Sequence, residues 1–222
     1  MSRAFVFPGQ GAQTIGMGRA LAEAYPAAKA VFDEVDAALG EKLSALIWEG
    51  DIAELTLTQN AQPALMATSI AALRALESEG MGLDQAQFVA GHSLGEYSAL
   101  CAAGALDLSD TARLLRVRGR AMQEAVPVGV GAMAVLLGMG FEAAMEVAAE
   151  AAQGEVCEVA NDNDPAQVVV SGHKAAVERA VEIAKARGAK RAMLLPVSAP
   201  FHCALMQPAA AVMAEALAGV AI

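Results

Sequence analysis

The chain has 222 residues, with 15 basic and 25 acidic side chains and therefore a net charge of −10 at pH 7. Its 56% apolar content supplies a core, and its 18% charged content excludes a disordered polyelectrolyte. The acidic balance argues against sequence-independent binding to nucleic acid, which needs many Lys and Arg side chains to neutralise phosphates.

Three scattered cysteines, Cys101, Cys157 and Cys203, show no CxxC spacing. This pattern fits thiols in a reducing compartment better than a disulfide framework or a zinc site. The N-terminal apolar run is too short for a signal peptide, and the longest uncharged stretch, 125–141, is interrupted by proline and glycines. We therefore expect a cytoplasmic protein without a membrane span or a metal site.

The first half of the chain alternates short apolar segments with helical patterns. Residues 4–7 predict a buried strand that runs into the glycine-rich loop 8–11, and residues 87–90 predict a second strand. Helical patterns follow at 17–38, 63–79, 94–103 and 109–124. Ser109 is the predicted N-cap of the last of these helices. Short strands that alternate with helices indicate a mostly parallel α/β sheet.

Residues 132–197 change character, because strand and helix patterns now follow the order β-α-β-β-α-β. The predicted strands are 132–137, 156–160, 167–171 and 190–197, the predicted helices are 141–152 and 174–186, and 161–165 is a predicted turn. This order is the split-βαβ or ferredoxin-like arrangement. A final helix, 204–217, returns to the core. The predicted fold is an α/β-hydrolase-like core with a parallel sheet, residues 1–126 and 198–222, with an inserted ferredoxin-like subdomain, residues 127–197.

The run GHSLG at residues 91–95 matches the G-x-S-x-G nucleophile elbow. In this turn the serine takes a strained backbone conformation between a strand and a helix, where side chains in place of the glycines would clash. The run lies between a predicted strand and a predicted helix, although an ordinary turn with a helix-capping serine would give the same letters. We predict Ser93 as a nucleophile and the N–H of Leu94 as an oxyanion donor. The Gln10 region after the first strand is the expected source of a second donor.

A nucleophilic serine needs a general base near neutral pH, and the chain has three histidines. His92 adjoins Ser93 on a tight turn, so we expect it to pack behind the elbow, and we expect His173 to be exposed. His202 lies in the loop 198–202, which leads from the predicted subdomain back to the core, and it is the predicted base. Two arrangements stay open, a triad with an acid and a dyad oriented by a backbone carbonyl.

The helix 109–124 carries one arginine on its apolar side. At 100° per residue, Arg113, Arg116 and Arg120 lie on a predicted solvated face, whereas Arg118 lies in the middle of the apolar arc. A buried guanidinium stays charged and needs an anion, which is either a carboxylate of the protein or the free carboxylate of a substrate. The second alternative, beside a nucleophilic serine, describes a dicarboxylic half-thioester such as malonyl.

Longer runs occur in a fixed order along the chain. They include FPGQGAQ at 7–13, QPA at 62–64, GHSLGEYSAL at 91–100, RGRAMQ at 118–123 and HCALM at 202–206. Together they resemble the malonyl-CoA:acyl-carrier-protein transacylases and the related acyltransferase domains of polyketide and fatty-acid synthases. Members of that family continue beyond the equivalent of Ile222, so the resemblance also implies a C-terminally shortened chain.

The resemblance implies an enzyme that transfers malonyl from CoA to the phosphopantetheine thiol of acyl carrier protein, through a malonyl-serine intermediate and without a cofactor. It implies the following roles: Ser93 as nucleophile, His202 as base, Arg118 as clamp of the malonyl carboxylate, Gln10 and Leu94 as oxyanion donors, and Asn161 as part of the substrate cleft. Because carrier proteins are acidic, the basic residues Lys185, Arg187, Lys190 and Arg191 are candidates for docking, although a solvated helix end would carry the same charges.

Two other functions are compatible with an elbow serine. A serine esterase or thioesterase would use Ser93 but would have no use for Arg118. A catalytically impaired fragment that binds a carrier protein would form no acyl-serine. Malonyl-versus-acetyl selectivity separates the first alternative from the transacylase, and formation of an acyl-serine separates the second.

Overall fold

The computed structural model describes residues 3–197 and 199–222. It divides into two compact units, Met1–Arg120 with Met213–Ile222 and Ala121–Val212. The predicted return to the core at Ser198 falls outside the described residues. The predicted assignment of 127–197 to a small subdomain stays a prediction.

The first unit combines one parallel strand pair with a set of helices. Its elements are β1 (Ala4–Phe7), α1 (Arg19–Ala24), α2 (Pro26–Leu39), α3 (Leu43–Glu49), α4 (Ile52–Thr56), α5 (Thr58–Ser78), a 3₁₀ turn (Leu83–Gln85), β2 (Phe88–Gly91), α6 (Gly95–Ala102) and α7 (Leu108–Ala125), which continues past Arg120. Strands β1 and β2 pair in parallel, with Phe7 opposite Gly91. Both strands and their parallel direction were predicted, and both are confirmed.

Helix α5 is the central helix of the first unit. Its residues from Ala61 to Ala67 are buried without interruption, and its apolar face joins α2 and α3 in one core. The first turn of α5 is thereby held inside the protein, close to the loops that follow β1 and β2.

The second unit is built on a four-stranded antiparallel sheet. Its elements are β3 (Gly131–Leu137), α8 (Phe141–Ala152), β4 (Cys157–Asp164), β5 (Gln167–His173), α9 (Lys174–Ala186), β6 (Arg191–Leu194), a 3₁₀ turn (Ala204–Met206) and α10 (Gln207–Ala218), which continues past Val212. The strand order across the sheet is β4-β5-β3-β6, and all three neighbouring pairs are antiparallel. The chain is therefore a mixed α/β protein with one parallel and one antiparallel sheet.

The antiparallel sheet is covered on both faces. Leu136 and Val170 face α8 and α9, where they join Val147 and Val177 in a buried cluster. The opposite face packs against residues 121–126 and 199–209. The segment that contains His202 is therefore fixed on the sheet by apolar side chains on either side of it, among them Phe201 and Met206.

Several elements of the structure differ from the predictions made from the sequence. The short helices α3 and α4 were not predicted. The predicted turn at 161–165 is wrong, because β4 continues to Asp164 and leaves only residues 165–166 in the turn. Helix α7 begins at Leu108, so Ser109 is not its N-cap, and the Ser109 hydroxyl donates to Glu34 instead.

Candidate active site

Ser93 lies in the turn between β2 and α6 and has a left-handed backbone, with φ 53°. Few residues other than glycine adopt this conformation, which costs of order 1–3 kcal/mol. A Cβ atom added to Gly91 would overlap the backbone of Gly95, and one added to Gly95 would overlap the carbonyl of Phe7 in β1. The two glycines therefore let the turn close tightly and hold Ser93 beside the end of β1.

Arg118 approaches the elbow from α7. Its Nη2 donates to Ser93 Oγ at 3.3 Å, and its Nη1 donates to Gln62 Oε1 at 2.6 Å. The guanidinium carbon also lies 5.7 Å from the centre of the Tyr97 ring, within the range of a cation–π contact. Three contacts, one each from α5, the elbow turn and α6, thus orient the guanidinium beside the hydroxyl of the elbow.

The Arg118 guanidinium has no ion-pair partner in the part of the chain that the structure describes. Among the ion pairs of residues 3–197 and 199–222, none involves this guanidinium. Burial lowers the pKa of Arg118, and the nearby Tyr97 and Glu96 act in the opposite direction. A guanidinium keeps its proton in any protein environment, so the site holds a positive charge whose hydrogen-bonding partners are neutral.

Gln10 lies in the loop after β1, and its side chain is tied to the first turn of α5. The Gln10 Nε2 and the Thr58 hydroxyl oxygen are 3.0 Å apart, and the Gln10 Oε1 is 3.1 Å from the same oxygen. The loop also contacts the elbow, because Gly9 lies so close to His92 that an added Cβ would be 3.0 Å from the His92 carbonyl oxygen, and the His92 N–H donates to the Phe7 carbonyl at the end of β1 at 3.1 Å. The β1 loop is therefore fastened to both α5 and the turn that carries Ser93.

Two backbone N–H groups near the elbow have no acceptor within the part of the chain that the structure describes. They belong to Gln10 and to Leu94, which directly precedes α6. Leu94 is buried through its side chain and is 1% exposed. The start of a helix also leaves its first N–H groups without helical acceptors, and it attracts negative charge.

Neither of the other two histidines behaves as predicted. His92 is exposed rather than packed behind the elbow, and its ring lies close to Gly9, where a Cβ would be 2.5 Å from Nδ1. His173 is half-buried rather than exposed, because its Nδ1 accepts a hydrogen bond from the backbone N–H of Val156 at 2.9 Å.

His202 and Asn161 belong to the second unit, whereas Ser93, Leu94, Gln10 and Arg118 belong to the first. His202 has a left-handed backbone, with φ 60°, and is half-buried. Its segment is held by Glu158, whose carboxylate accepts from the Ala204 N–H at 2.8 Å. Asn161 is half-buried in β4, opposite Val169 and next to a register shift in the strand. The strained His202 backbone and the irregular strand at Asn161 are both features that recur at functional sites.

Arg116 contradicts the helical-wheel prediction of a solvated face. It is 7% exposed and donates to Asn60 of α5 and to the carboxylate of Glu41. Burial lowers the pKa of this guanidinium to about 10, which leaves it charged at neutral pH. Arg116 is thus a buried cation with a protein carboxylate as its counter-ion.

Residues 4–222 match the acyl transferase domain family. A curated relative from Bacillus subtilis (strain 168), named malonyl CoA-acyl carrier protein transacylase, is 55% identical over 215 residues, which are 96% of this chain and 67% of the relative. The chain belongs to the acyl transferase family.

Solved structures of other acyl transferases share its backbone. The acyl-carrier-protein-S-malonyltransferase from Bartonella henselae is 58% identical, with a TM-score of 0.96 over 100% of this chain and 71% of that one. A malonyl-transacylase in complex with its type II PKS acyl-carrier protein is 48% identical, with a TM-score of 0.95 over 100% of this chain and 71% of that one.

The described residues of this acyl transferase contain neither a membrane-spanning helix nor a cluster of metal ligands. Within residues 3–197 and 199–222, no helix is long and apolar enough to cross a membrane. No group of three or more His, Cys, Asp or Glu side chains in the described residues is arranged to hold a metal ion.

The basic candidates for docking are partly paired in this acyl transferase. Arg187 is bridged to Glu146 and Glu150, and Lys185 is bridged to Glu182. These exposed pairs each contribute little to stability, but they offset the positive charge that the sequence places at the end of α9.

Sequence reasoning gave no role to Thr58, Gln62 or Tyr97, although all three surround the predicted site residues. Thr58 and Gln62 are buried polar residues, at 0% and 1% exposure, in a helix whose apolar residues join the core of the first unit. A polar residue that interrupts the apolar face of a predicted helix was the available signal. It does not identify the partner, which lies on a different element.

Proposed function

We propose that this acyl transferase moves a malonyl group from CoA to the phosphopantetheine thiol of acyl carrier protein, in fatty-acid or polyketide biosynthesis. Relatives at 55% and 58% identity are named for this malonyl transfer, and another was solved with an acyl-carrier protein bound. The observation that carries the proposal is the position of Arg118. Its Nη2 lies 3.3 Å from Ser93 Oγ, and no carboxylate among the described residues neutralises it.

In the first half-reaction, His202 takes the proton of Ser93 while Oγ attacks the thioester carbonyl of malonyl-CoA. The negative charge that develops on the carbonyl oxygen is stabilised by the N–H groups of Gln10 and Leu94. The carbon–sulfur bond then breaks, malonyl stays on Ser93, and the CoA sulfur receives the proton from His202. The partial positive charge at the start of α6 favours the same oxyanion.

In the second half-reaction, the thiol of the carrier protein gives its proton to His202 and attacks the malonyl-Ser93 ester. The ester bond breaks, malonyl leaves on the carrier sulfur, and Ser93 recovers its proton from His202. The proposed chemistry uses only side-chain and backbone groups of this chain and the two substrates, without a cofactor. Asn161 is proposed to line the substrate cleft.

Arg118 supplies the specificity for a dicarboxylic acyl group. A guanidinium presents parallel N–H groups that match the two oxygens of a carboxylate. The hydrogen-bonding partners of Arg118 are the neutral Gln62 and Ser93, and we propose that the guanidinium binds the free carboxylate of a malonyl group whose thioester carbon is attacked by Ser93. An acetyl group lacks that carboxylate and gains nothing from the charge.

The proposal extends to the domains and the compartment. The order β4-β5-β3-β6, with all neighbours antiparallel, supports a ferredoxin-like subdomain, which we assign to 127–197. The strand–elbow–helix segment around Ser93 supports an α/β-hydrolase-like core in the remaining chain. The free thiols of all three cysteines are compatible with work in the reducing cytoplasm.

The test is intact-mass measurement after mixing the protein with malonyl-CoA or acetyl-CoA. We expect a malonyl adduct on the wild-type protein, loss of the adduct in Ser93→Ala, and its retention in Ser109→Ala, which removes a surface hydroxyl bonded to Glu34. Equal labelling by malonyl-CoA and acetyl-CoA would favour a serine esterase. No adduct on folded wild-type protein would contradict the proposal.

A further inference from the structure

We propose that Thr58 is a positioning residue for oxyanion binding: its hydroxyl anchors the Gln10 side chain and thereby fixes the direction of the Gln10 backbone N–H. The inference rests on the proposed function, in which that N–H stabilises the tetrahedral intermediate. It assigns to Thr58 a role in the rate of acyl transfer without any contact between Thr58 and the substrate.

Thr58 and Gln10 form a specific hydrogen bond in which the Thr58 side chain is buried. Thr58 is completely buried, and its hydroxyl oxygen lies 3.0 Å from Gln10 Nε2 and 3.1 Å from Gln10 Oε1. One hydroxyl can accept from the amide nitrogen or donate to the amide oxygen, so either orientation of the Gln10 amide keeps a hydrogen bond. The anchor joins residues that are 48 positions apart in the chain.

Gln10 needs such an anchor because glycines flank it on both sides. Gly9 and Gly11 leave the backbone free to rotate in the absence of other contacts, and Gly11 takes a φ of 112°. Gly9 is fixed by the elbow, since it lies against His92, and the Gly11 N–H donates to Gln13 Oε1 at 2.8 Å. The Gln10 side chain, tied to Thr58, supplies the remaining constraint on the peptide between them.

Thr58 is itself held rigidly. It is the first residue of α5, and α7 packs so closely on it that a Cβ added to Gly119 would lie 2.7 Å from the Thr58 carbonyl oxygen. Four residues later on the same helix, Gln62 holds Arg118. The first five residues of α5 therefore support both the loop that is proposed to bind the oxyanion and the arginine that is proposed to bind the carboxylate.

Two substitutions at position 58 separate the anchor from simple packing. Thr58→Val keeps the shape of the side chain and removes the hydroxyl, whereas Thr58→Ser keeps the hydroxyl. Thr111→Val is the matched control, because Thr111 is also completely buried but its hydroxyl donates to the carbonyl of Asp107, directly before α7, at 2.8 Å and not to Gln10. All variants are compared by steady-state malonyl transfer to carrier protein and by their melting temperatures.

Loss of a whole oxyanion donor typically costs about 10²–10³ in kcat, so a donor that is misdirected is expected to cost roughly 10-fold to 100-fold. We expect this loss in Thr58→Val, with the KM for malonyl-CoA within about twofold of wild type, because ground-state binding uses Arg118. Thr58→Ser is expected to restore kcat to within about threefold, and Thr111→Val to leave it unchanged. Wild-type kcat in Thr58→Val, or no recovery in Thr58→Ser, would overturn the inference.

Gln10→Ala removes the other end of the anchor while keeping the backbone N–H. If Thr58 acts through the Gln10 side chain, Gln10→Ala alone should lower kcat as much as Thr58→Val, and the double variant should be no slower than either single one. This comparison also decides the matter if Thr58→Val does not fold. Multiplying losses in the double variant, or wild-type kcat in Gln10→Ala, would refute the anchor. Absence of malonyl-Ser93 in the wild-type protein would instead refute the proposed function and this inference together.

Discussion

Substitution of Arg118 gives the sharpest test of the proposed selectivity. In Arg118→Leu the acyl group loses its charged partner, while the elbow glycines and the contacts of the β1 loop are unchanged. A hydrogen bond to a charged group contributes about 1.5–3 kcal/mol. One guanidinium nitrogen of Arg118 is already engaged by Gln62, so we count the remaining interaction with a carboxylate at about 3 kcal/mol. Since 1.4 kcal/mol is tenfold, acylation by malonyl-CoA should fall roughly 100-fold in kcat/KM.

The assay is the rate of Ser93 acylation, followed by intact mass after rapid acid quenching, with malonyl-CoA and acetyl-CoA measured in parallel. Acetylation should change less than about threefold, because acetyl offers no carboxylate to Arg118. Arg113→Leu is the matched control on the same helix, since Arg113 is exposed and paired with Asp110. It should leave both rates unchanged.

Arg118→Lys adds a second comparison. Lysine keeps the charge but has no planar fork, so it should recover only part of the malonyl rate. Equal losses with malonyl-CoA and acetyl-CoA in Arg118→Leu would mean that Arg118 supports the elbow rather than the substrate. That outcome would refute the carboxylate clamp even if the malonyl rate fell 100-fold.

Two further predictions concern buried groups outside the reaction. Arg116→Ala should lower the free energy of unfolding by about 1–3 kcal/mol in urea titrations, because Asn60 loses a buried hydrogen-bonding partner. Glu41 is half-exposed and can be solvated by water instead. An unchanged urea midpoint of unfolding would contradict this prediction. Burial raises the pKa of the Cys157 thiol to about 11, so about one thiol in a thousand is ionised at pH 8. The rate of Cys157 alkylation in the folded protein should therefore rise about tenfold for each pH unit from 8 to 10. A rate that reaches a plateau below pH 9 would refute the raised pKa.

Local patterns predicted the elements whose ends carry strong turn residues. Helices α8 and α9 were predicted with the bounds that the structure gives, 141–152 and 174–186. A glycine precedes the first, and glycines follow closely after both, so a 3.6-residue period is clearly delimited. The strands β1 and β2 are equally well marked, because each apolar run ends in proline or glycine.

The elements that local patterns predicted wrongly, or did not predict, depend on their neighbours or are very short. The polar run 161–164 contains strong turn formers, yet β5 pairs with it and extends β4 to Asp164, whose carboxylate then accepts from the Ala166 N–H at 3.0 Å. Helices α3 and α4, of seven and five residues, are too short for a periodic signal. In each case contacts with neighbouring elements, rather than local residue types, decide the structure.

For Arg116 and Arg118, a pattern within one helix was again not enough to predict the environment of both side chains. Both arginines point inward from α7, but the helical wheel placed only Arg118 on the apolar side. A helical wheel describes one helix alone. It contains no information about α5, which packs against the side of α7 that carries Arg116, where Gly119 closely approaches Thr58.

The two cations differ in their contacts. Arg116 donates to the carboxylate of Glu41, whereas the groups that Arg118 contacts among the described residues are the neutral Gln62, Ser93 and Tyr97. Arg116 thus contributes a buried ion pair to the fold, whereas Arg118, which is half-buried and has no ion-pair partner among the described residues, retains its attraction for an anionic substrate. Because the second of these lies beside the strained serine, the same helix provides both the stability of the first unit and the selectivity that we propose for its chemistry.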